Sequence, residues 1–314
     1  MMEVLFLLLM QPFTAATMGA AFASSSTPAS AASYRDLDAF YSNVPLDDMR
    51  MFLGPSMHFH HGLASGEVDR LLGRAHRTVD DGESGLDDAV RVLYPHVPQN
   101  ASILDVGCGW CGPAALLAAE RGAEVTGVTI AEAQADFCRS RGIPAIHADV
   151  EVIDARELMR TAPASAARGY DVALLLESLD HVRDKGRVLR MLRGVARTLV
   201  LRTHCNPALA ADASTSEFSG SMPITSCANV TNAVAAAGWE LVAEPKIWGA
   251  AEAAQTHRYW RRGLEALVAS RERRGLSGVG LESGRGASHV LQVLLMASDG
   301  FGWLRMASDG SSAR

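Results

Sequence analysis

The stretch Ile103 to Pro113, I-L-D-V-G-C-G-W-C-G-P, constrains the fold more than any other part of the chain. Three apolar residues interrupted by one carboxylate read as a short buried strand. Gly107, Gly109 and Gly112 then make a tight turn into a helix opened by Pro113. Such a turn is a place to hold a ligand.

Charge says which ligand. The glycines alone fit G-x-G-x-x-G, in which backbone N–H groups and a helix N-terminus hold a pyrophosphate. Asp105, two residues before the first glycine, would set a negative charge beside that anion, whereas it would attract a ligand carrying an ammonium and a sulfonium. S-adenosylmethionine is such a ligand. A dinucleotide site also needs an acid at the end of the next strand for the ribose, and Glu124 to Ile130 (E-V-T-G-V-T-I) ends without one.

D-V-G-C-G-W-C-G-P followed by V-T-G-V-T-I-A-E-A-Q resembles the class I S-adenosylmethionine methyltransferases. The resemblance is to the branch holding tocopherol and sterol C-methyltransferases, cyclopropane fatty acid synthases and small-molecule N-methyltransferases. It implies an α/β fold: a Rossmann-like seven-stranded, mostly parallel sheet with helices on both faces, capped by N-terminal helices and a C-terminal helical insert. It also implies S-adenosylmethionine held by Asp105, Gly107, Cys108, Gly109, Thr129, Ile130, Gln134, Asp149, Val150 and Glu177. Thr129 and Gln134 stand in for the ribose acid, and Asp149 accepts from the adenine amino group. The motif usually has a glycine where Cys111 stands, and a left-handed backbone there would strain a cysteine.

The same resemblance assigns Glu177-Ser-Leu-Asp-His181 to the sheet edge beside the transferring methyl group. His181 is the first candidate for a base, because an imidazole acts near neutral pH, with Glu177 and His61 beside it. His60, His61 and Gly62 match a Met-His-His-Gly lid stretch, and Tyr41, His60, His61, Tyr259 and Trp260 become candidate acceptor contacts. The cluster His58, His60 and His61 lacks a further ligand at zinc-type spacing, so no metal is expected.

In order along the chain, residues 1–33 begin with the apolar run Val4 to Met10 and continue without charge, like a removable targeting segment or a disordered extension, and are left out of the expected fold. The protein is then expected in the cytoplasm, or in a plastid if that segment is a presequence. Residues 34–98 form a helical lid, 99–247 the cofactor core, 248–287 a substrate-covering insert, 288–297 the last strand and 301–314 a tail. The 314 residues, 48% hydrophobic, suit one large domain. A net charge of −6 offers no basic face for nucleic acid, and no apolar run approaches the ~20 residues of a membrane span. Five cysteines at irregular spacing suggest no disulfide framework. The expected partner is a small molecule, apolar or phenolic, methylated at carbon. A small amine, a lipid to be cyclopropanated, a nicotinamide-dependent reduction and a non-catalytic cofactor-binding protein are the competing readings, and the oligomeric state is open.

Overall fold

A computed structural model describes residues 3–9, 41–42, 44–75, 82–205, 217–218, 222–223, 225–242, 245–248 and 250–274. In chain order these give β1 (Glu3–Leu9), α1 (Leu46–Leu53), α2 (Gly66–Leu71), α3 (Gly82–Arg91), β2 (Ser102–Val106), α4 (Gly112–Arg121) and β3 (Glu124–Thr129). There follow α5 (Glu132–Ser140), β4 (Ala145–His147), α6 (Ala155–Arg160), β5 (Tyr170–Leu176), α7 (Lys185–Arg193) and β6 (Ala196–His204). A short antiparallel pair, β7 (Glu217–Phe218) and β8 (Met222–Pro223), leads to α8 (Cys227–Ala236), β9 (Glu240–Leu241), β10 (Lys246–Trp248) and α9 (Ala250–Arg273).

Five parallel strands in the order β6-β5-β2-β3-β4 make the centre of a sheet that has eight strands among the described residues, against the seven expected. β2 lies in the middle and is buried along its whole length, as a strand covered by helices on both faces must be. Alternation on β5 and β6 divides the core. Ala173, Leu175, Leu199 and Leu201 pack with Leu158, Leu189 and Val234 of α6, α7 and α8. Val172, Leu174 and Val200 pack on the other face with Val90, Leu117 and Cys138 of α3, α4 and α5. Side-chain caps fix helix starts: Ser65 accepts from the Val68 amide, Asp154 from Glu157, Asp184 from Arg187 and Ser226 from Asn229.

The N-terminus corrects the expectation. The apolar run read as the core of a targeting segment contributes β1, which pairs in parallel with β6 along Glu3 to Leu9, and with β9 and β10 on its other side. A seven-residue apolar run fits a buried strand as well as it fits a leader, and length alone does not separate them. The expected last strand, 288–297, the tail and all of 10–40 lie outside the described residues, as does most of the long polar stretch after β6.

α1 and α9 enclose a cluster in which Met49, Phe52 and Leu53 pack against Trp260, Leu264 and Leu267. Gly263 makes this packing possible, since a Cβ there would stand 2.3 Å from the Phe52 carbonyl oxygen. Trp110 of the glycine bend and Phe137 of α5 join the same cluster, so cap and cofactor turn share one apolar contact.

Candidate active site

The glycine bend lies at the carboxyl end of β2, where ligands of open parallel sheets sit. Gly107 and Gly109 adopt φ of +77° and +52°. A Cβ on Gly107 would stand 2.3 Å from the Ser178 side chain, whereas one on Gly109 would meet nothing within 4 Å. Gly112 serves the lid, because a Cβ there would press within 2.7 Å of the Ser56 carbonyl oxygen. The amides of Gly107 and Cys108 both donate to the Val128 carbonyl, at 2.8 and 3.0 Å, and so are not free for a pyrophosphate. Asp105 is 2% exposed and its Oδ2 has no hydrogen-bond partner. Burial pushes its carboxyl up to about 7. An unpartnered buried carboxylate is costly alone and well placed beside a cation, which fits the expected sulfonium nucleoside.

Thr129 and Gln134 are buried together. The Thr129 hydroxyl donates to Gln134 Oε1 at 2.6 Å and accepts from the Ala131 amide, which fixes both side chains at the end of β3. The Ile130 carbonyl accepts from His147, and Asp149 Oδ1 caps the Glu151 amide at 2.8 Å. Val150 is half-buried against the neighbouring core.

A second group of side chains assembles at the ends of β5 and β6. Glu177, at φ +59°, accepts from the backbone amide of His61, and its Oε2 lies 3.0 Å from His61 Nδ1. Arg202, fully buried, donates to Glu177 Oε1 at 2.9 Å and to the His61 carbonyl. His204 Nε2 lies 3.2 Å from His61 Nδ1 and 3.8 Å from Glu177 Oε2, while its Nδ1 meets Asp180 Oδ2 at 2.8 Å. Thr203 donates to the other Asp180 oxygen, and His257 Nε2 stands 3.0 Å from His61 Nε2. Burial alone would raise the Glu177 carboxyl, but the charges of His61 and Arg202 hold it well below the usual range. Burial would lower His204, and the facing carboxylates of Glu177 and Asp180 instead raise it to about 8. His257, half-buried beside His61, falls to about 4 as it loses solvent.

Of the expected residues, Glu177 and His61 are therefore in contact. His181 follows Asp180 in a single turn, half-buried, lowered by burial, and makes none of the hydrogen bonds of this web. His60 faces the lid's interior: its Nδ1 donates to the His61 carbonyl and its Nε2 meets His58, which reaches Asp87. Tyr41 packs edge-on against Phe59, and the Tyr259 hydroxyl donates to the Leu53 carbonyl, tying α9 to the end of α1. Trp260 is buried, with its ring 5.4 Å from that of His61. Arg202, His204 and His257 are not among the expected residues; they come from two segments, β6 and α9, with no shared motif. A buried arginine in an otherwise apolar strand was the available signal.

The cysteines depart from expectation. Cys111 pairs with Cys138 and Cys205 with Cys227, while Cys108 is a buried free thiol raised well above its ordinary range by burial. Cys111 holds φ +56°, the strained conformation anticipated for a non-glycine at this place.

A sheet of this order with a glycine bend after its central strand defines the class I S-adenosylmethionine methyltransferase fold. Residues 103–200 match the family model of the methyltransferase domain. The 27-O-demethylrifamycin SV methyltransferase of Amycolatopsis mediterranei is 29% identical over 140 residues, covering 45% of this chain and 47% of that protein. A ubiquinone biosynthesis O-methyltransferase of Bordetella parapertussis is 33% identical over 96 residues, 30% and 38% of the two chains. The chain thus spans less than half the length of these curated relatives. Among solved structures, a cyclopropane synthase of Mycobacterium tuberculosis shares the fold with a TM-score of 0.59 at 14% identity, over 84% of this chain and 91% of that one. A coclaurine N-methyltransferase does so with 0.58 at 15%, over 87% and 82%.

Proposed function

We propose that this chain is an S-adenosylmethionine-dependent methyltransferase that acts on a small apolar or phenolic acceptor. The observation that carries the reading is the buried, unpartnered Oδ2 of Asp105 beneath a bend whose first amides are already spent on Val128. When bound, the cofactor supplies a methyl group already activated on a sulfonium. The chain's residues then bind, orient and exclude water. Asp105 provides the complementary charge, Gly109 leaves room for close approach, and Thr129 with Gln134 offers a fixed polar pair at the next strand end. Alignment of the acceptor can supply on the order of 7–11 kcal/mol of the barrier, more than a single base contributes. Structural neighbours bound to S-adenosylhomocysteine include the coclaurine enzyme and a geranyl diphosphate C-methyltransferase, which lends support to the same cofactor here. An apolar acceptor suits the aromatic cap of Phe52, Phe59 and Trp260, and carbon methylation follows the His60-His61-Gly62 resemblance.

Calorimetry tests the reading. S-adenosylhomocysteine is expected to bind and NADH not to, and labelled methyl transfer across a panel of phenols, amines and unsaturated lipids then identifies the acceptor. Uptake of NADH without the nucleoside would overturn it.

A further inference from the structure

Two imidazole nitrogens and one carboxylate oxygen converge on a single point at the ends of β5 and β6. His61 Nδ1, Glu177 Oε2 and His204 Nε2 form a triangle with edges of 3.0, 3.2 and 3.8 Å, so a point about 2.1 Å from all three lies just off its plane. His61 Nδ1 faces an acceptor oxygen and a second ring nitrogen at once, and the two nitrogens cannot both donate toward the same narrow gap.

The surroundings complete the pattern. His204 Nδ1 meets Asp180 Oδ2 at 2.8 Å, which turns the lone pair of Nε2 toward the gap. His61 Nε2 meets His257 at 3.0 Å, and Arg202 takes Oε1 of Glu177, while Oε2 faces the two imidazoles and also accepts from the His61 amide at 3.1 Å. Each converging side chain is thus oriented by a partner on its other polar atom. Glu177 holds its place at φ +59°, a conformation a glutamate adopts only when its surroundings compel it.

We propose that His61, Glu177 and His204 form a binding site for a divalent first-row transition ion, of the two-imidazole, one-carboxylate type. Such a set leaves coordination positions open, which an oxygen-bearing acceptor, a phenol or an enol, can take. That last step rests on the methyltransferase reading; the binding of the ion does not. The other converging group, Cys108, Cys111 and Cys138, has two of its sulfurs bonded to each other and so does not offer three thiolates.

The test uses the full chain, stripped with a chelator and titrated with Co2+ by visible absorption and with Zn2+ by calorimetry. About one equivalent should bind, without the near-ultraviolet band of sulfur-to-cobalt charge transfer. His204→Ala should weaken binding by about 100-fold or more, and Asp180→Asn by about 10- to 100-fold. His147→Ala, at an exposed imidazole on β4, should leave it unchanged. If His204→Ala does not fold, X-ray absorption on the unmutated protein decides: nitrogen and oxygen neighbours with imidazole scattering support the site. No stoichiometric binding, sulfur neighbours, or affinity indifferent to His204→Ala would overturn it. S-adenosylhomocysteine calorimetry on the same sample separates the two readings. A chain that binds cobalt but not the nucleoside keeps this site and loses the methyltransferase, and the converse holds equally.

Discussion

The glycine bend and the histidine web lie at the same end of the sheet and handle charge in opposite ways. Asp105 is buried with an oxygen that meets nothing, whereas Glu177 is buried with both oxygens bound by His61 and Arg202. The two carboxyls diverge accordingly: burial raises Asp105 to about 7, and neighbouring cations hold Glu177 far lower despite the same burial. A side chain left unsatisfied marks where a ligand must complete the site. One held by neighbouring side chains marks a place where the protein itself fixes the geometry.

Removing a charge should therefore have different consequences in the two places. Glu177→Ala strands the fully buried Arg202, whose Nε and Nη1 already lack partners. Losing one member of a buried ion pair typically costs about 3–5 kcal/mol, so urea unfolding should show a loss of that size. A change below about 1 kcal/mol would mean the frame is not set by this pair. Asp105→Asn should leave the fold intact or slightly more stable, while lowering S-adenosylhomocysteine affinity on the order of 10²- to 10³-fold.

The sign of the pH effect sharpens the contrast. Because the folded-state carboxyl of Asp105 is raised, the native chain binds more protons than the unfolded one between about 4 and 7, and the empty protein loses stability as pH rises through that window. A cationic ligand needs the carboxylate, so its affinity should weaken as pH falls below about 7. Calorimetry from pH 5.5 to 8.5 should show this in the native chain and not in Asp105→Asn.

How much of this was legible follows from locality. The bend and Asp105 lie within one strand-turn-helix run, so spacing places them together, and the family resemblance adds the Thr129–Gln134 pair after the next strand. The histidine web joins four segments, and only tertiary packing brings His204 and His257 to His61. His60 is expected as an acceptor contact on its match to the Met-His-His-Gly stretch; adjacent residues on an extended segment point apart, and in the fold His60 turns toward His58. β1 escaped notice for a related reason: its neighbours β6, β9 and β10 all lie nearly two hundred residues or more away in sequence, and no local signal announces the pairing.

A smaller effect separates the web from the residue beside it. His181 is half-buried and outside the hydrogen-bonded group, so His181→Ala should neither unfold the chain nor weaken S-adenosylhomocysteine binding. Turnover should fall on the order of 10²-fold if its imidazole moves a proton of the acceptor. Equal loss of nucleoside affinity would reassign His181 to the cofactor side.

The smallest effect concerns the bend's own backbone. Cys111 sits at φ +56° and ψ +27°, where an L-residue other than glycine is strained by roughly 1–2 kcal/mol, and its bond to Cys138 offsets some of that by tying the bend to α5. The two contributions separate in a chain that cannot form the bond. In a Cys138→Ser background, adding Cys111→Gly should raise stability by about 1 kcal/mol after allowing for the greater freedom of the unfolded glycine, measured by denaturant midpoint. S-adenosylhomocysteine affinity should stay the same, because the ligand's charge is met at Asp105 rather than at the sulfur. A drop in affinity would instead assign Cys111 a contact with the nucleoside and remove the bend's independence from the disulfide.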